Sequence, residues 1–253
     1  MMQVWLAHLH WREVEVAYWI LKIIFLGPII RLLYRPKIIG KHNIPRRGAA
    51  ILASNHQSFS DSIFLPLAVP RKITFLAKSE YFTGKGIKGF FTKMFFAGVG
   101  QVPIDRSGGR ASEAAVSTAV EILKSGKLLG IYPEGTRSPD GRLYRGRTGI
   151  IRIALEANVP IIPVALQGTF DIQPPGTIIP KIKRVTITFG EPMYLEDFQG
   201  KEKDLGALRE ATNLVMQRLQ SLGGQTYVDI YATKAKEAIQ SQVSEDLESD
   251  ISE

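Results

Sequence analysis

Cysteine is absent from all 253 residues of this chain. That excludes disulfides, thiolate nucleophiles and cysteine-ligated metal sites, and it suits a reducing compartment. Long hydrophobic runs are missing as well. Val14 to Tyr34 is largely apolar, but Glu15, Lys22 and Arg31 interrupt it, and its longest uncharged run, Ile23 to Ile30, is too short to cross a hydrocarbon core. The unbroken apolar core and small-residue cleavage site of a secretory signal are also lacking. No internal repeat, zinc-ligand spacing, recognition-helix pattern or basic tract interleaved with aromatics is found, so nucleic acid is not an expected partner.

What is present is the length and composition of one large α/β domain, with 45% hydrophobic and 22% charged residues. The formal net charge is +8, although the last ten residues, SEDLESDISE, hold five acids and no base. The rest of the chain is therefore strongly basic and attracts polyanions such as an anionic bilayer or phosphorylated small molecules. All three tryptophans (Trp5, Trp11 and Trp19) precede residue 20, with Arg12, Lys22, Arg31 and Arg35 among or just after them. Indole rings favour the lipid headgroup layer, and basic residues add attraction to anionic lipid. Residues 1–35 are thus expected to form a membrane-interacting helical segment, interfacial or shallowly inserted, kinked at Gly27-Pro28. A helical pair packed on the domain is the alternative.

Beyond Pro36, short apolar runs alternate with helical stretches, the pattern of a single mixed sheet flanked by helices. Strands are expected at Ala49–Ala53, Lys72–Ala77, Gly100–Ile104, Leu128–Tyr132, Ile161–Leu166 and Val185–Phe189. Helices are expected from Asp61 through Leu67, over Gly86–Phe96 and Arg110–Lys124, and over Thr148–Ala157 and Leu205–Leu222. The domain spans 36–222, and Gly223-Gly224 introduces a polar, acidic C-terminal tail over 223–253. The Phe90, Phe91, Phe95 and Phe96 cluster at helical spacing reads first as core and second as the lining of an apolar channel.

Three polar clusters, around His56, Arg106 and Glu134, follow predicted strands, at the edge where open α/β sheets gather ligands. In the first, Asn55-His56-Gln57-Ser58-Phe59-Ser60-Asp61, a loop histidine is followed five residues later by an aspartate in the first turn of a helix. Asp61 can accept the proton of one ring nitrogen and fix the tautomer, and the other nitrogen can then act as general base on a hydroxyl. The same pair also reads as a helix-capping aspartate beside an ordinary loop histidine. In the cluster Tyr132 to Ser138, Gly135 permits close backbone approach, Thr136 and Ser138 offer hydroxyls, and Arg137 offers a planar fork suited to phosphate. Glu134 is placed either to bind a substrate hydroxyl or to hold the arginine.

These segments resemble the four motifs of the glycerophosphate and lysophosphatidate acyltransferase family, in the family's order. NHQSFSD at 55–61 is similar to the first, GQVPIDR at 100–106 to the second, YPEGTRS at 132–138 to the third, with Tyr132 where Phe is usual, and VPIIPVALQG at 159–168 to the fourth. The resemblance implies that His56 activates an acceptor hydroxyl for direct attack on an acyl thioester, with Asp61 orienting it and no covalent acyl-enzyme. It implies that Arg106, Arg137 and Lys78 bind the acceptor phosphate, with Glu134, Gly135 and Thr136 in the same substrate site. The expected reaction acylates 1-acyl-glycerol-3-phosphate to phosphatidic acid at the cytoplasmic face of a membrane. It needs no cofactor beyond acyl-CoA or acyl carrier protein as co-substrate. Glycerol-3-phosphate or another lysophospholipid or glycolipid hydroxyl is the alternative acceptor. A non-catalytic lipid-binding protein on the same fold is the alternative of another class.

Overall fold

A computed structural model describes residues 18–78, 86, 101–104, 110–177 and 179–252. Among these, seven strands form the main sheet: β1 (Lys37–Ile39), β2 (Ala50–Ser54), β3 (Ile73–Lys78), β4 (Gln101–Ile104), β5 (Leu128–Ile131), β7 (Ile161–Gln167) and β8 (Thr186–Phe189). A short parallel pair joins β6 (Leu143–Tyr144) to β9 (Tyr227–Val228). The helices are α1 (Gly27–Tyr34), α2 (Asp61–Ala68), α3 (Arg110–Lys124), α4 (Gly149–Ala157), α5 (Thr169–Ile172), α6 (Leu205–Gly223) and α7 (Ala232–Ser252).

The strand order is β1-β8-β7-β2-β5-β3-β4, parallel throughout except where β7 meets β8. The mixed α/β sheet expected from the sequence is therefore present. β2 lies at its centre with every residue buried, which is why it reads as a continuous apolar run. Its side chains alternate between two cores. Ile51 and Ala53 face the layer built by Val116, Ala119 and Leu123 of α3, Ile150 and Ile151 of α4, and Leu208 and Val215 of α6. Ala50 and Leu52 face the layer of Tyr34, Phe64, Leu65 and Ile187.

Register brings the motifs together. Ala53 pairs with Ile131 and Ser54 with Val164, all in parallel strands, so the segments after β2, β5 and β7 leave the sheet at one edge. β3 and β4 end at Lys78 and Ile104, paired in register. Lys78, one residue past the expected Lys72–Ala77 strand, is the last residue of β3. Arg106, the phenylalanine cluster at 90–96, Trp5 and Trp11 lie outside the described residues.

The N-terminal segment is helical from Tyr18, widens into a π-turn over Leu21–Leu26 and continues as α1. The wide turn falls just before Pro28, whose missing N–H cannot close a regular helical bond. One side of this helix packs on the domain. Tyr18 and Tyr34 are buried, Tyr34 meets Phe64 edge-on at 5.2 Å, and the Lys22 ammonium donates to the Val69 carbonyl. Burial lowers the Lys22 pKa to about 8. The opposite side is apolar and open, with Ile23, Ile24, Phe25, Ile29 and Leu32 all exposed. Among the described residues no helix is long and apolar enough to cross a membrane.

Residues 223–253, read from the sequence as a polar tail, contain β9 and α7. Ala232 and Ala235 of α7 pack against the fully buried Tyr144. Small alanines let the helix approach that ring closely, a signal hidden by the polar composition around them.

Candidate active site

The loop after β2 folds around one carboxylate. Asp61 is wholly buried, and its Oδ2 accepts from the backbone N–H of Gln57 at 2.7 Å and of Ser58 at 2.8 Å. The same oxygen lies 2.9 Å from His56 Nδ1. Asp61 therefore does not cap its own helix; it folds back and fixes the loop that carries the histidine. With Nδ1–H directed at the carboxylate, Nε2 becomes the basic nitrogen. The His56 side chain is 16% exposed, enough for a hydroxyl to reach it while the ring stays held. Asp61 Oδ1 has no hydrogen-bond partner among the described residues.

The imidazole is held from its face as well. The Tyr132 ring stacks on it with centroids 3.8 Å apart and planes 11° from parallel, and Phe75 stacks behind Tyr132 at 5.7 Å. Gly130 makes room for this column, because a Cβ there would sit 2.2 Å from Phe75 Cε1. The Tyr132 hydroxyl lies 3.3 Å from Ser62 Oγ. Burial, with the Asp61 charge nearby, raises its pKa far above the usual tyrosine range. The sequence showed an aromatic before the Pro-Glu-Gly-Thr-Arg segment. That it would clamp the histidine depends on β2 and β5 being neighbours.

Two hydrogen bonds to the His56 backbone join the first and third motifs. Glu134 Oε1 accepts from the His56 N–H at 2.9 Å, and the Ser138 N–H donates to the His56 carbonyl at 2.7 Å. Glu134 Oε2 accepts from the Tyr144 N–H at 2.9 Å. The carboxylate is thus spent on two backbone amides, and neither role expected for it, substrate hydroxyl or arginine partner, matches its geometry. Burial pushes its pKa up to about 8, against the two amide donors.

Arg137 is half-buried and, among the described residues, has no hydrogen-bond or ion-pair partner. Its planar fork remains available to an anion. Gly135 takes φ +76°, and a Cβ there would meet Arg147 Nε at 2.8 Å. Arg147, which was not foreseen, therefore lies over the loop. Thr136 Oγ1 accepts from Lys236 Nζ at 2.7 Å. Lys78 lies at the end of its strand, and Arg106 is outside the described residues, so of the three expected phosphate cations only Arg137 is placed in detail.

Asn55 ties in the fourth motif by mimicking a strand residue. Its Nδ2 donates to the Leu166 carbonyl at 2.9 Å, and its Oδ1 accepts from the Leu166 N–H at 2.8 Å. Gln225 also accepts from Asn55 Nδ2 at 2.6 Å and donates to the Gly141 carbonyl at 2.7 Å. A buried amide with every group paired fixes its loop firmly. The arrangement as a whole joins an oriented imidazole, able to take a proton from a hydroxyl, to a loop whose Arg137 has no partner among the described residues.

Comparison with known proteins identifies the family. Residues 35–167 match the family model described as Acyltransferase. The chain is 32% identical over 201 residues to a 1-acyl-sn-glycerol-3-phosphate acyltransferase of Bacillus subtilis (strain 168), covering 78% of this chain and 94% of that protein. It is 34% identical over 145 residues to the chloroplastic 1-acyl-sn-glycerol-3-phosphate acyltransferase LPAT1 of Arabidopsis thaliana, covering 57% of this chain and 39% of that longer protein. Its structure is similar to the crystal structure of the 1-acyl-sn-glycerophosphate (LPA) acyltransferase PlsC from Thermotoga maritima. That match has a TM-score of 0.58 and 27% identity, and covers 84% of this chain and 79% of that one.

Proposed function

The chain belongs to the acyltransferase family, and from that premise we propose that it acylates the free hydroxyl of 1-acyl-glycerol-3-phosphate, with His56 as the base. The observation that carries the mechanism is the 2.9 Å contact between His56 Nδ1 and the buried Asp61. His56 Nε2 takes the proton of the acceptor hydroxyl as its oxygen attacks the thioester carbonyl. Asp61 stabilises the imidazolium that forms, and the stacked Tyr132 face adds to it. The proton then passes to the departing thiolate, so the base is restored each turnover. Arg137 holds the acceptor's phosphate in this reading, with Arg106 and Lys78 as further cations in the same role; its support is that Arg137 has no partner among the described residues.

The acyl donor is a thioester, either acyl-CoA or acyl carrier protein. The site of action is a membrane surface on the cytoplasmic side. Its support is the outward face of the N-terminal helix, where Ile23 is 62% and Leu32 72% exposed, together with Phe59 of the His56 loop at 38%. Apolar side chains turned outward on a domain-anchored helix suit shallow burial in lipid.

A labelled acyl-CoA offered with 1-acyl-glycerol-3-phosphate, glycerol-3-phosphate and a lysophosphatidylcholine, with products separated by thin-layer chromatography, tests the reading. Label is expected in phosphatidic acid. Label in another product with none in phosphatidic acid assigns a different acceptor. No transfer to any acceptor, by folded protein on vesicles, favours a lipid-binding role.

A further inference from the structure

The segment beyond Gly224 lies outside residues 35–167, which match the acyltransferase family, yet it is built into the third motif. β9 pairs with β6 directly after the Pro-Glu-Gly-Thr-Arg loop, and the Arg145 N–H donates to the Ile230 carbonyl at 3.1 Å. Tyr231, at the start of α7, is held from several sides. Arg209 bridges its hydroxyl at 3.0 Å and the Gly146 carbonyl at 2.8 Å, while the Arg145 and Arg147 guanidiniums lie 5.6 Å and 5.1 Å from its ring centroid. Ala232 and Ala235 then seat α7 on Tyr144. These contacts fix the first turns of the helix, and Lys236 is the next residue along it.

Lys236 Nζ donates to Thr136 Oγ1 at 2.7 Å, in the middle of the loop. Among the described residues no carboxylate lies within 4.0 Å of the ammonium. Glu134, whose charge Lys236 feels, makes no ion pair with it and accepts instead from the His56 and Tyr144 amides. Burial of the half-buried Lys236, with repulsion from Arg137, lowers its pKa against a weaker attraction from Glu134. Two cations beside a hydroxyl, without a paired carboxylate, are costly to assemble unless an anion enters between them. A latch for the loop would need only a neutral donor.

We propose that Lys236 is a substrate-binding residue: its ammonium, together with Arg137 and the Thr136 hydroxyl, holds the phosphate monoester of the acyl acceptor. The inference rests on the acceptor assignment made above. It makes the C-terminal helix part of the substrate site.

The test uses the full chain as wild type, Lys236→Gln and Lys236→Arg. Glutamine keeps a donor for Thr136 but removes the charge; arginine keeps the charge. Steady-state kinetics on detergent-dispersed 1-acyl-glycerol-3-phosphate with acyl-CoA should show Lys236→Gln raising the acceptor's KM about tenfold or more. Its kcat and the donor's KM should stay near wild type, and Lys236→Arg should recover most of the loss. The stabilisation of the melting temperature by inorganic phosphate should shrink in the glutamine variant and persist in the arginine variant. If wild type fails to acylate this acceptor but the phosphate effect follows that pattern, the acceptor assignment falls and the anion site stands. If wild type acylates it while Lys236→Gln leaves acceptor KM and phosphate stabilisation unchanged, the inference is overturned. It is equally overturned if only the donor's KM rises, or if both KM values and kcat degrade together without rescue by arginine.

Discussion

Glu134 holds two backbone amides inside the protein, and its chemistry gives the stability of the molecule a pH dependence. Its ordinary pKa is 4.5, and burial raises it to about 8 in the fold. Between those values the folded chain binds more protons at this site than the unfolded chain, so this contribution to stability falls as pH rises from about 5 to about 8. Chemical denaturation across that range should show this slope in wild type and a flatter one in Glu134→Gln. The glutamine has one acceptor for two amides, so either His56 or Tyr144 loses a partner, at a cost of ~1–3 kcal/mol. Activity of the variant should fall at every pH, because the His56 backbone is one of the two groups released. An unchanged slope in the variant would assign the titration to another residue.

Among the elements, the pairing of β2 with β5 makes the site. It sets Tyr132 against His56, and the column continues through Phe75 to the space left by Gly130. Gly130→Ala should push Phe75 aside and destabilise the fold by ~1–3 kcal/mol through overpacking. Tyr132→Phe keeps the ring and loses only a 3.3 Å hydroxyl contact, so its turnover should stay within a few-fold of wild type. Tyr132→Ala frees one face of the imidazole and should lower kcat at least tenfold. If alanine and phenylalanine behaved alike, the ring stack would have no part in positioning the base. The long strands and helices of this sheet were legible in the sequence because periodicity and turn residues mark them: α3 spans the expected Arg110–Lys124, and α6 ends one residue from the expected Leu222. His56 and Asp61 were legible because their contact is local. Glu134 was misread because its partners, His56 and Tyr144, are 78 and 10 residues away, and no local pattern reports such bonds. β6, β9 and the docking of α7 were missed because two-residue strands and a pair of alanines leave too little period to read.

At the scale of the whole molecule, the proposed chemistry and the proposed lipid contact fall in different places, the sheet edge and the N-terminal helix. Tyr18, Lys22 and Tyr34 fasten that helix to the domain, while Ile24, Phe25 and Leu32 point outward. Replacing those three by Ser removes apolar surface worth up to ~1.5–3 kcal/mol per side chain when fully buried, with little effect on the packed side. The variant should move from sedimented vesicles to the supernatant yet keep its activity on detergent-dispersed acceptor. Unchanged sedimentation with neutral vesicles would place the lipid contact elsewhere on the surface. The most direct measurement of the central claim is the initial rate of phosphatidic acid formation from acyl-CoA and 1-acyl-glycerol-3-phosphate by wild type and His56→Ala, with circular dichroism of both. Wild type should form the product, and the variant should be slower by ~10²–10⁴-fold with an unchanged spectrum. A folded His56→Ala protein that turns over near the wild-type rate would contradict His56 as the base.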